Sequence, residues 1–491
     1  MKKKLLVGAV SFVVAAGLGF FGVQFFTKTG IFFKPGELVF ADEILDSEAE
    51  IYRGQFEEIE LKKDLFFSIF FGDSLRASIN PENEEFARYF LTDILVPTTD
   101  FYDPKDSISA EEFERLFEAN DPNVVSILDL DSSKKLLAVD GVYYLDSFET
   151  GAKFSYLKVE GKNLEDLAIV EEKIGELFPT FPTKETTLTF VQTGVTALSR
   201  NMNSKIEQVG AGGYFSQNIG TFLSQFDLTH TSNESSFTDL AYSGNICSNW
   251  GFVDTLVGIG LDIVELTGNH NIDCGFQAAL DTLDKYDELG IKHVGGGRDS
   301  DDAALPLNIS EKSNNITFLA FNESTGGSTY GWNPGANQYY EETAAAQIAE
   351  AKARGDTVIV DIQYYECNAY ASTYEDPTCD AADSAAGDQI GFFRSLIDMG
   401  ADVVVGTSAH QTQTYEHYKD GEIYYGLGNL FFDQVWWPGT TRSLGLVHYF
   451  WNNKLVQTKR FGTVYDETYQ TRVMSAEELE WFINRLNASR P

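Results

Sequence analysis

The sequence predicts an α/β fold, with a large layered α/β domain preceded by a small α+β domain and an N-terminal transmembrane helix. Three observations predict it. A long apolar run follows the first lysines, strands mix with one amphipathic helix before residue 178, and a helix, glycine and strand unit repeats beyond residue 188. Repetition of this unit is typical of parallel sheets covered by helices.

The composition predicts a folded and strongly acidic chain. Of 491 residues, 43% are hydrophobic and 14% are aromatic, which supplies enough apolar surface to fold most of the chain. Lys and Arg total 36 against 74 Asp and Glu, for a net charge of −38. Nucleic-acid binding depends on neutralising phosphates, so the charge argues against a nucleic-acid partner.

The N-terminus predicts attachment to a membrane. Lys2, Lys3 and Lys4 precede an apolar run from Leu5 to Phe26. As a helix this run would be about 33 Å long, enough to cross a bilayer. We expect residues 1–30 to form a signal anchor, with the lysines inside and the rest of a single-pass protein outside the cell membrane. A cleaved signal peptide is the alternative, although no clear Ala-x-Ala site follows the run.

The four cysteines suit an exported chain. An even number of cysteines outside the cytoplasm favours disulfides. Cys367 and Cys379 flank a loop-like stretch, so we expect them to pair with each other and Cys247 to pair with Cys274.

Residues 38–178 predict a small α+β domain whose role the sequence leaves open. Strands are expected at LFFSIFF, KLLAVDGVYYL and FSYLKVEG, and an amphipathic helix at EEFERLFEAN. Residues 179–187 carry two prolines and a polar tail, which is typical of a linker.

Residues 188–474 predict the larger domain. A helix-like stretch ends at a glycine and a β-branched strand follows it four times, at Gly260, Gly290, Gly355 and Gly400. Glycine supplies the left-handed cap after a helix. Residues 475–491 predict a C-terminal helix that begins with a Ser-x-x-Glu capping box at Ser475.

The residues suited to chemistry follow the predicted strands. They are Asn269 and His270 in TGNHN, His410 in TSAHQ, Gln363 and Glu366 in DIQYYE, and His230, Asn233 and Glu234 in THTSNES. In such sheets ligands gather at the carboxyl ends of the strands. A lone histidine in a loop is more often structural, but mixed nitrogen and oxygen donors together suit a divalent ion that acidifies a bound water.

Five ordered motifs resemble the CapA family of poly-γ-glutamate capsule synthesis proteins, whose fold is similar to calcineurin-like metallophosphoesterases. They are SNES, TGNH, KHVGGGR, GTSAH and YGLGNLFF, within residues 188 to 440. The resemblance implies an α/β/β/α metallophosphoesterase-like domain. It also implies that Glu234, Asn269 and His410 hold one divalent ion, and that His270 orients or protonates the leaving group.

Three positions depart from the family's pattern. Val195 stands where the family has a metal-binding Asp, Thr407 replaces the first His of Gly-His-x-x-His, and Gln363 replaces another His. A two-metal site is therefore not expected. Further donors could come from Asn233, Gln363, Glu366 or His230.

The resemblance implies a membrane-anchored extracytoplasmic protein that acts in synthesis or export of an anionic cell-surface polymer such as poly-γ-glutamate. It would act as a metal-dependent hydrolase or transferase, beside other capsule synthesis membrane proteins. Its cofactor would be one ion of Mn²⁺, Mg²⁺ or Zn²⁺, or none. The alternative is a catalytically inactive, metal-free binding or scaffold protein of the cell surface.

Overall fold

The computed structural model describes residues 38–41, 44, 49–50, 53, 65–72, 87–130, 132–160, 164–323, 326–364 and 388–491. The predictions for the N-terminal apolar run, for Glu366 and for the Cys367–Cys379 pair therefore lie outside the described residues. Within the ranges just given, no helix is both long and apolar enough to span a bilayer. The chain forms two compact units. One combines residues up to 99 with 106–130 and 136–181, and the other combines 100–105, 131–135 and 182–491.

The first unit is built around one mixed sheet in the order β1-β2-β8-β3-β5. Its strands are β1 (Leu38–Phe40), β2 (Leu65–Gly72), β3 (Ala87–Asp100), β4 (Ser107–Ile108), β5 (Val124–Ser126), β6 (Lys134–Leu136), β7 (Ala138–Val139) and β8 (Lys153–Glu160). Its helices are α1 (Ala110–Glu118), α2 (Tyr144–Ser147) and α3 (Leu164–Ile174). The strands predicted at LFFSIFF and FSYLKVEG and the helix at EEFERLFEAN are confirmed.

The prediction of one strand over KLLAVDGVYYL is wrong. The chain turns at Asp140 and Gly141, which both have positive φ, 49° and 79°. A left-handed pair of residues breaks an extended strand. Two short strands, β6 and β7, precede this turn, and the helix α2 follows it.

The second unit contains a large sheet in the order β12-β11-β10-β9-β22-β23-β24, with β21 also paired to β9. Its strands are β9 (Leu188–Thr196), β10 (Leu228–Asn233), β11 (Ile263–Glu265), β12 (Lys292–Val294), β21 (Asn429–Phe431), β22 (Arg442–Trp451), β23 (Lys454–Val464) and β24 (Arg472–Val473). Strands β9 to β12 run parallel, so their carboxyl ends share one edge.

Another sheet of this unit has the order β14-β15-β17-β18-β20-β19, with parallel central strands. It consists of β14 (Leu307–Glu311), β15 (Asn314–Asn322), β17 (Thr357–Gln363), β18 (Val403–Gly406), β19 (Tyr415–Tyr418) and β20 (Gly421–Tyr424), while β13 (Gly296–Gly297) and β16 (Gly335–Ala336) pair separately. The strands predicted after Gly260, Gly290, Gly355 and Gly400 are thus confirmed as β11, β12, β17 and β18.

The second unit also contains helices. They are α4 (Asn201–Val209), α5 (Gly220–Leu223), α6 (Val253–Gly258), α7 (Phe276–Leu289), α8 (Ser300–Ala303), α9 (Glu341–Arg354), α10 (Gln389–Asp398) and α11 (Ala476–Asn487). One apolar cluster joins the facing sides of the sheets, and another packs α9 and α10 on the outer side of the second sheet. The predicted capping box at Ser475 is present at the start of α11, and the mixed α/β fold is confirmed.

Some buried polar side chains point into the space between the two sheets. Phe190, Leu228, Ile263 and Ile359 belong to the inter-sheet core. The residue two positions after each points to the same side, because side chains alternate along a strand. Those residues are Gln192, His230, Glu265 and Asp361, and all four are buried. The space between the sheets is therefore apolar near the amino ends of these strands and polar toward their carboxyl ends.

Candidate functional site

Glu234 and His410 meet at the carboxyl edge of the sheets. Glu234 directly follows β10, and its backbone N–H donates to the carbonyl of Thr196 at the end of β9. His410 lies in the loop after β18. The Nε2 atom of His410 lies 3.8 Å from the Oε2 atom of Glu234, and both side chains are buried. Two strands that belong to different sheets thus bring a carboxylate and an imidazole together.

Asn429 fixes the orientation of the His410 ring. The Asn429 amide nitrogen lies 3.1 Å from the carbonyl oxygen of Thr440 and 3.1 Å from Oε1 of Gln434, so it donates to both. Its Oδ1 atom then faces Nδ1 of His410 at 2.8 Å and accepts the imidazole N–H. This assignment leaves the Nε2 lone pair directed toward Glu234. A histidine that binds a metal ion is usually held in this way, through a hydrogen bond from its other nitrogen.

A glycine brings the Asn269 turn against Glu234. A Cβ atom on Gly268 would lie 2.9 Å from Cγ of Glu234, too close for any side chain other than hydrogen. Gly268 therefore lets β11 and β10 end side by side. Asn269 and His270 follow it on the partly exposed turn, as the sequence predicts.

A chain of hydrogen bonds crosses this edge and is called the amide chain below. Thr407 Oγ1 donates to Gln363 Oε1 at 3.5 Å, and Gln363 Nε2 donates to Asn269 Oδ1 at 3.2 Å. Asn269 Nδ2 then lies 3.4 Å from His270 Nε2, and His270 Nδ1 lies 2.7 Å from Asp273 Oδ2. His270 thus donates to Asp273 and accepts from Asn269. Each member of the amide chain is therefore hydrogen-bonded to a neighbouring member.

The three departures from the expected ligand pattern have structural consequences. Val195 is fully buried and pairs with Asn429 of β21, so an apolar side chain fills the position expected for a carboxylate. Thr407 and Gln363 both belong to the amide chain. Within the described residues, no three His, Cys, Asp or Glu side chains group to hold a metal ion.

A disulfide ties the turn of Asn269 to the loop before α6. Cys247 and Cys274 are bonded, with Cα atoms 5.9 Å apart, which confirms the predicted pairing. The turn is held from the same side by Ser236, whose hydroxyl donates to the carbonyl of Asn271. The segment that carries His270 is therefore anchored although its side chain is 27% exposed.

His230 and Asn233 are directed elsewhere. The His230 ring lies between the sheets, with Nε2 at 3.1 Å from Oδ2 of Asp361. The Asn233 amide donates to the hydroxyl of Tyr286 on α7, on the other face of the sheet. His230 therefore faces Asp361 and Asn233 faces Tyr286, on opposite sides of the sheet, because side chains an odd number of residues apart on a strand face opposite sides.

A group of buried polar residues lies below this edge and is called the inter-sheet cluster. It consists of Gln192, His230, Glu265, Asp361 and His448, each at most 1% exposed. Gln192 Nε2 donates to Asp361 Oδ1 at 2.6 Å and Gln192 Oε1 lies 3.3 Å from His448 Nε2. The sequence prediction missed this cluster. Its signal was the position of Glu265 in DIVEL and of Asp361 in VIVDIQ, two predicted strands rich in Val, Ile and Leu.

Burial shifts the protonation of two members of the cluster. Desolvation, followed by the charge of Asp361, raises the pKa of Glu265 to about 7. Desolvation, followed by the charge of His230, lowers the pKa of His448 to about 3. Burial disfavours the charged form of both groups, so a neutral Glu265 and a neutral His448 are stabilised.

Comparison with known proteins places these residues in a family. The family model described as bacterial capsule synthesis protein PGA_cap matches residues 189–434, which include Glu234, Asn269, His270, His410 and Asn429. The chain belongs to this family. The predicted membership of the CapA family is confirmed.

Curated relatives match about two fifths of the chain. The capsule biosynthesis protein CapA of Bacillus anthracis is 26% identical over 196 residues, 39% of this chain and 44% of that protein. The PGA biosynthesis protein CapA of Bacillus subtilis is 30% identical over 201 residues, 40% of this chain and 49% of that protein. The chain thus spans less than half the length of these curated relatives. A hypothetical protein from Thermus thermophilus covers 59% of this chain at 11% identity with a TM-score of 0.30, a likeness too distant to support an inference.

Proposed function

We propose that this CapA-family chain acts outside the cell membrane in the synthesis or export of an anionic cell-surface polymer such as poly-γ-glutamate. We further propose that residues 1–30 anchor it and that its chemistry takes place at Glu234 and His410. The family match and the names of the relatives support the polymer class. The metallophosphoesterase-like arrangement of the family supports a site at the carboxyl edge of the sheets.

The observation that carries this proposal is the orientation of His410. A buried imidazole whose Nδ1 donates to Asn429 and whose Nε2 faces a carboxylate is arranged for proton transfer or for metal binding. His270, oriented by Asp273 and partly exposed, is the second group able to accept or return a proton. In this proposal His410 and Glu234 form the core of the site and His270 protonates the leaving group.

The donor set suits one divalent ion and does not suit two. Glu234, His410 and the amide oxygen of Asn269 would hold it, and Mn²⁺, Mg²⁺ and Zn²⁺ accept such mixed nitrogen and oxygen ligands. When bound, this ion would acidify a water molecule or polarise an oxygen of the substrate. Two-metal sites need further carboxylates and imidazoles, and this edge has Val195, Thr407 and Gln363 in their place.

The amide chain favours a second candidate function, that of a metal-free binding protein within the same polymer pathway. Asn269 Oδ1, the oxygen that would bind the ion, already accepts a hydrogen bond from Gln363. Releasing that hydrogen bond opposes metal binding. In this alternative the edge holds the polymer, and the bonds of the polymer are made or cut by another protein.

Replacing the family member of a capsule-forming host with this chain tests the proposed function. We expect Glu234→Gln and His410→Gln to reduce surface polymer at least tenfold at equal protein levels. Glu311→Gln removes the same charge from an exposed position at the end of β14 and should leave the yield unchanged. Wild-type yield from both site variants would contradict the proposal.

Elemental analysis of the purified chain separates the two candidates. The metal-dependent function predicts up to one equivalent of divalent ion, lost in His410→Gln together with any phosphodiester hydrolysis that added Mn²⁺ supports. The metal-free function predicts no bound ion in either protein, with polymer yield that still depends on Glu234. Two ions per wild-type chain would contradict both.

A further inference from the structure

Arg200 has a backbone conformation that arginine rarely adopts. Its φ is 51° and its ψ is −119°, in the left-handed half of the map that favours glycine. A non-glycine residue in such a region is energetically costly and persists only where its surroundings impose it. A glycine would satisfy the turn between β9 and α4 without this cost, so the side chain of Arg200 has a role of its own.

Two contacts hold the guanidinium in one orientation. Its Nε and Nη2 atoms donate to Oδ1 of Asp433, which is fully buried, and the Nε to Oδ1 distance is 3.0 Å. Its Cζ atom lies 4.3 Å from the centre of the Phe432 ring. Asp433 is fixed in turn, because its Oδ2 accepts the backbone N–H of Asn201 at 3.2 Å. A planar guanidinium held at two nitrogens and one face loses little further freedom when it binds a ligand.

The third nitrogen of Arg200 is available beside the site. Among the described residues, no hydrogen bond involves Nη1, and the side chain is 27% exposed. Arg200 follows β9 by four residues, at the same carboxyl edge as Glu234 and Asn269. Phe432 contacts it on one side and is also 5.0 Å from the His410 ring, centre to centre. The guanidinium and the imidazole thus share one aromatic neighbour.

From this geometry we propose that Arg200 binds an anionic group of the substrate, a carboxylate or a phosphate, and that Asp433 positions it. The inference rests on the proposed function, because it assigns the ligand group to the same site. A chain with net charge −38 repels an anionic polymer. Because Asp433 pairs with the guanidinium, Arg200 contributes N–H donors to an approaching anion rather than an excess positive charge. Guanidinium recognises both anions through paired N–H groups.

The test is calorimetric titration of the full-length chain with two probes. One probe is a γ-linked glutamate oligomer, and its uncharged counterpart is the same oligomer with every α-carboxylate converted to a carboxamide. The other probe is inorganic phosphate. The variant is Arg200→Gln with Asp433→Asn, which removes one charge of each sign and keeps the net charge. Its matched control is Arg354→Gln with Asp356→Asn, another Arg–Asp pair, which precedes β17 at the opposite end of the strand.

We expect the Arg200 double variant to bind its probe at least about tenfold more weakly, as loss of a charged hydrogen bond implies. The control should bind as wild type does. Dependence on Arg200 for the glutamate oligomer alone identifies a carboxylate, and dependence for phosphate identifies a phosphate. Equal binding by the double variant, equal binding of the uncharged oligomer, or no binding of either probe by wild type would overturn the proposal.

Arg200→Lys separates an effect on binding from an effect on folding. It keeps the positive charge beside Asp433 but loses the paired N–H groups of the guanidinium. It should bind the probe several-fold more weakly with an unchanged melting temperature, and wild-type affinity would count against the proposal. The polymer yields of Glu234→Gln and His410→Gln are measured independently. Loss of yield in those variants combined with unchanged probe binding in the Arg200 variants would overturn this inference alone.

Discussion

The inter-sheet cluster and the carboxyl edge of the sheets are two polar regions of the second unit that differ in their exposure to solvent. The inter-sheet cluster is sealed, with His230, Glu265 and Asp361 at most 1% exposed. The edge above it opens at His270, whose side chain is 27% exposed. Both regions combine carboxylates with imidazoles. Because solvent reaches the edge at His270, the proposed function is placed at the edge, and the cluster is expected to contribute to stability.

Removing Asp361 should produce the largest effect on stability. Asp361→Ala leaves Gln192 and His230 without their partner in a buried space, which we expect to lower the free energy of unfolding by about 4 kcal/mol. His270→Ala removes one partly exposed hydrogen bond at the edge and should cost less than about 1 kcal/mol. Denaturant unfolding of both variants measures the difference. Equal losses would mean that the two regions are not distinct.

Glu265 should make stability depend on pH. Its folded pKa of about 7 lies above the ordinary 4.5, so the folded chain keeps a proton that the unfolded chain releases between these values. Stability from this group therefore falls as pH rises from about 4.5 to about 7, by about 3 kcal/mol. Glu265→Gln should remove that fall, and the stability of the variant relative to wild type should increase across the same window. A difference in the free energy of unfolding between the two proteins that stays constant with pH would contradict this prediction.

His448 should act with the opposite sign. Its folded pKa of about 3 lies below the ordinary 6.5, so only the unfolded chain binds a proton between these values. Stability from this group is present above about pH 6.5 and is lost as pH falls toward 3. His448→Gln should remove this acid sensitivity and leave the fall caused by Glu265. Chemical denaturation from pH 4 to 8 measures both groups in one series.

Removing the disulfide should lower the free energy of unfolding less than Asp361→Ala does, and its effect on mobility should be confined to the edge. Cys247→Ser with Cys274→Ser opens a loop closed over 27 residues, which we expect to cost about 2 to 3 kcal/mol. The Asn269 to Asp273 turn should become more mobile, so its backbone amides should exchange hydrogen faster. The amides of β17 at the cluster serve as the internal control. Faster exchange at β17 and none at the turn would show that the bond does not anchor the site.

Sequence patterns were sufficient for the elements with a strong local signal. The glycine before each strand, the capping box at Ser475 and the Cys247–Cys274 pair depend on local chemistry, and each is confirmed. The strand predicted through Asp140 failed because an aspartate and a glycine with positive φ turned the chain.

The site was only partly predictable, because pairing in space decides what a residue meets. The motifs identified Glu234 and His410, but no spacing in the sequence shows that Asn429 orients the imidazole or that Asp433 holds Arg200. The place of His230 depends on strand alternation and on the facing sheet, which brings Asp361 to it. Local periodicity predicts which face of a strand a side chain occupies, but it does not predict which residue of the other sheet that side chain contacts.

The same substitution at one glutamate from each region tests the assignment of function most directly. Glu234 and Glu265 are both fully buried, and replacement by glutamine removes one carboxylate from either region. The measurement is surface polymer produced by each full-length variant in the replacement host. The account predicts at least a tenfold loss for Glu234→Gln and a near wild-type yield for Glu265→Gln. Loss of polymer in Glu265→Gln with full yield from Glu234→Gln would contradict it.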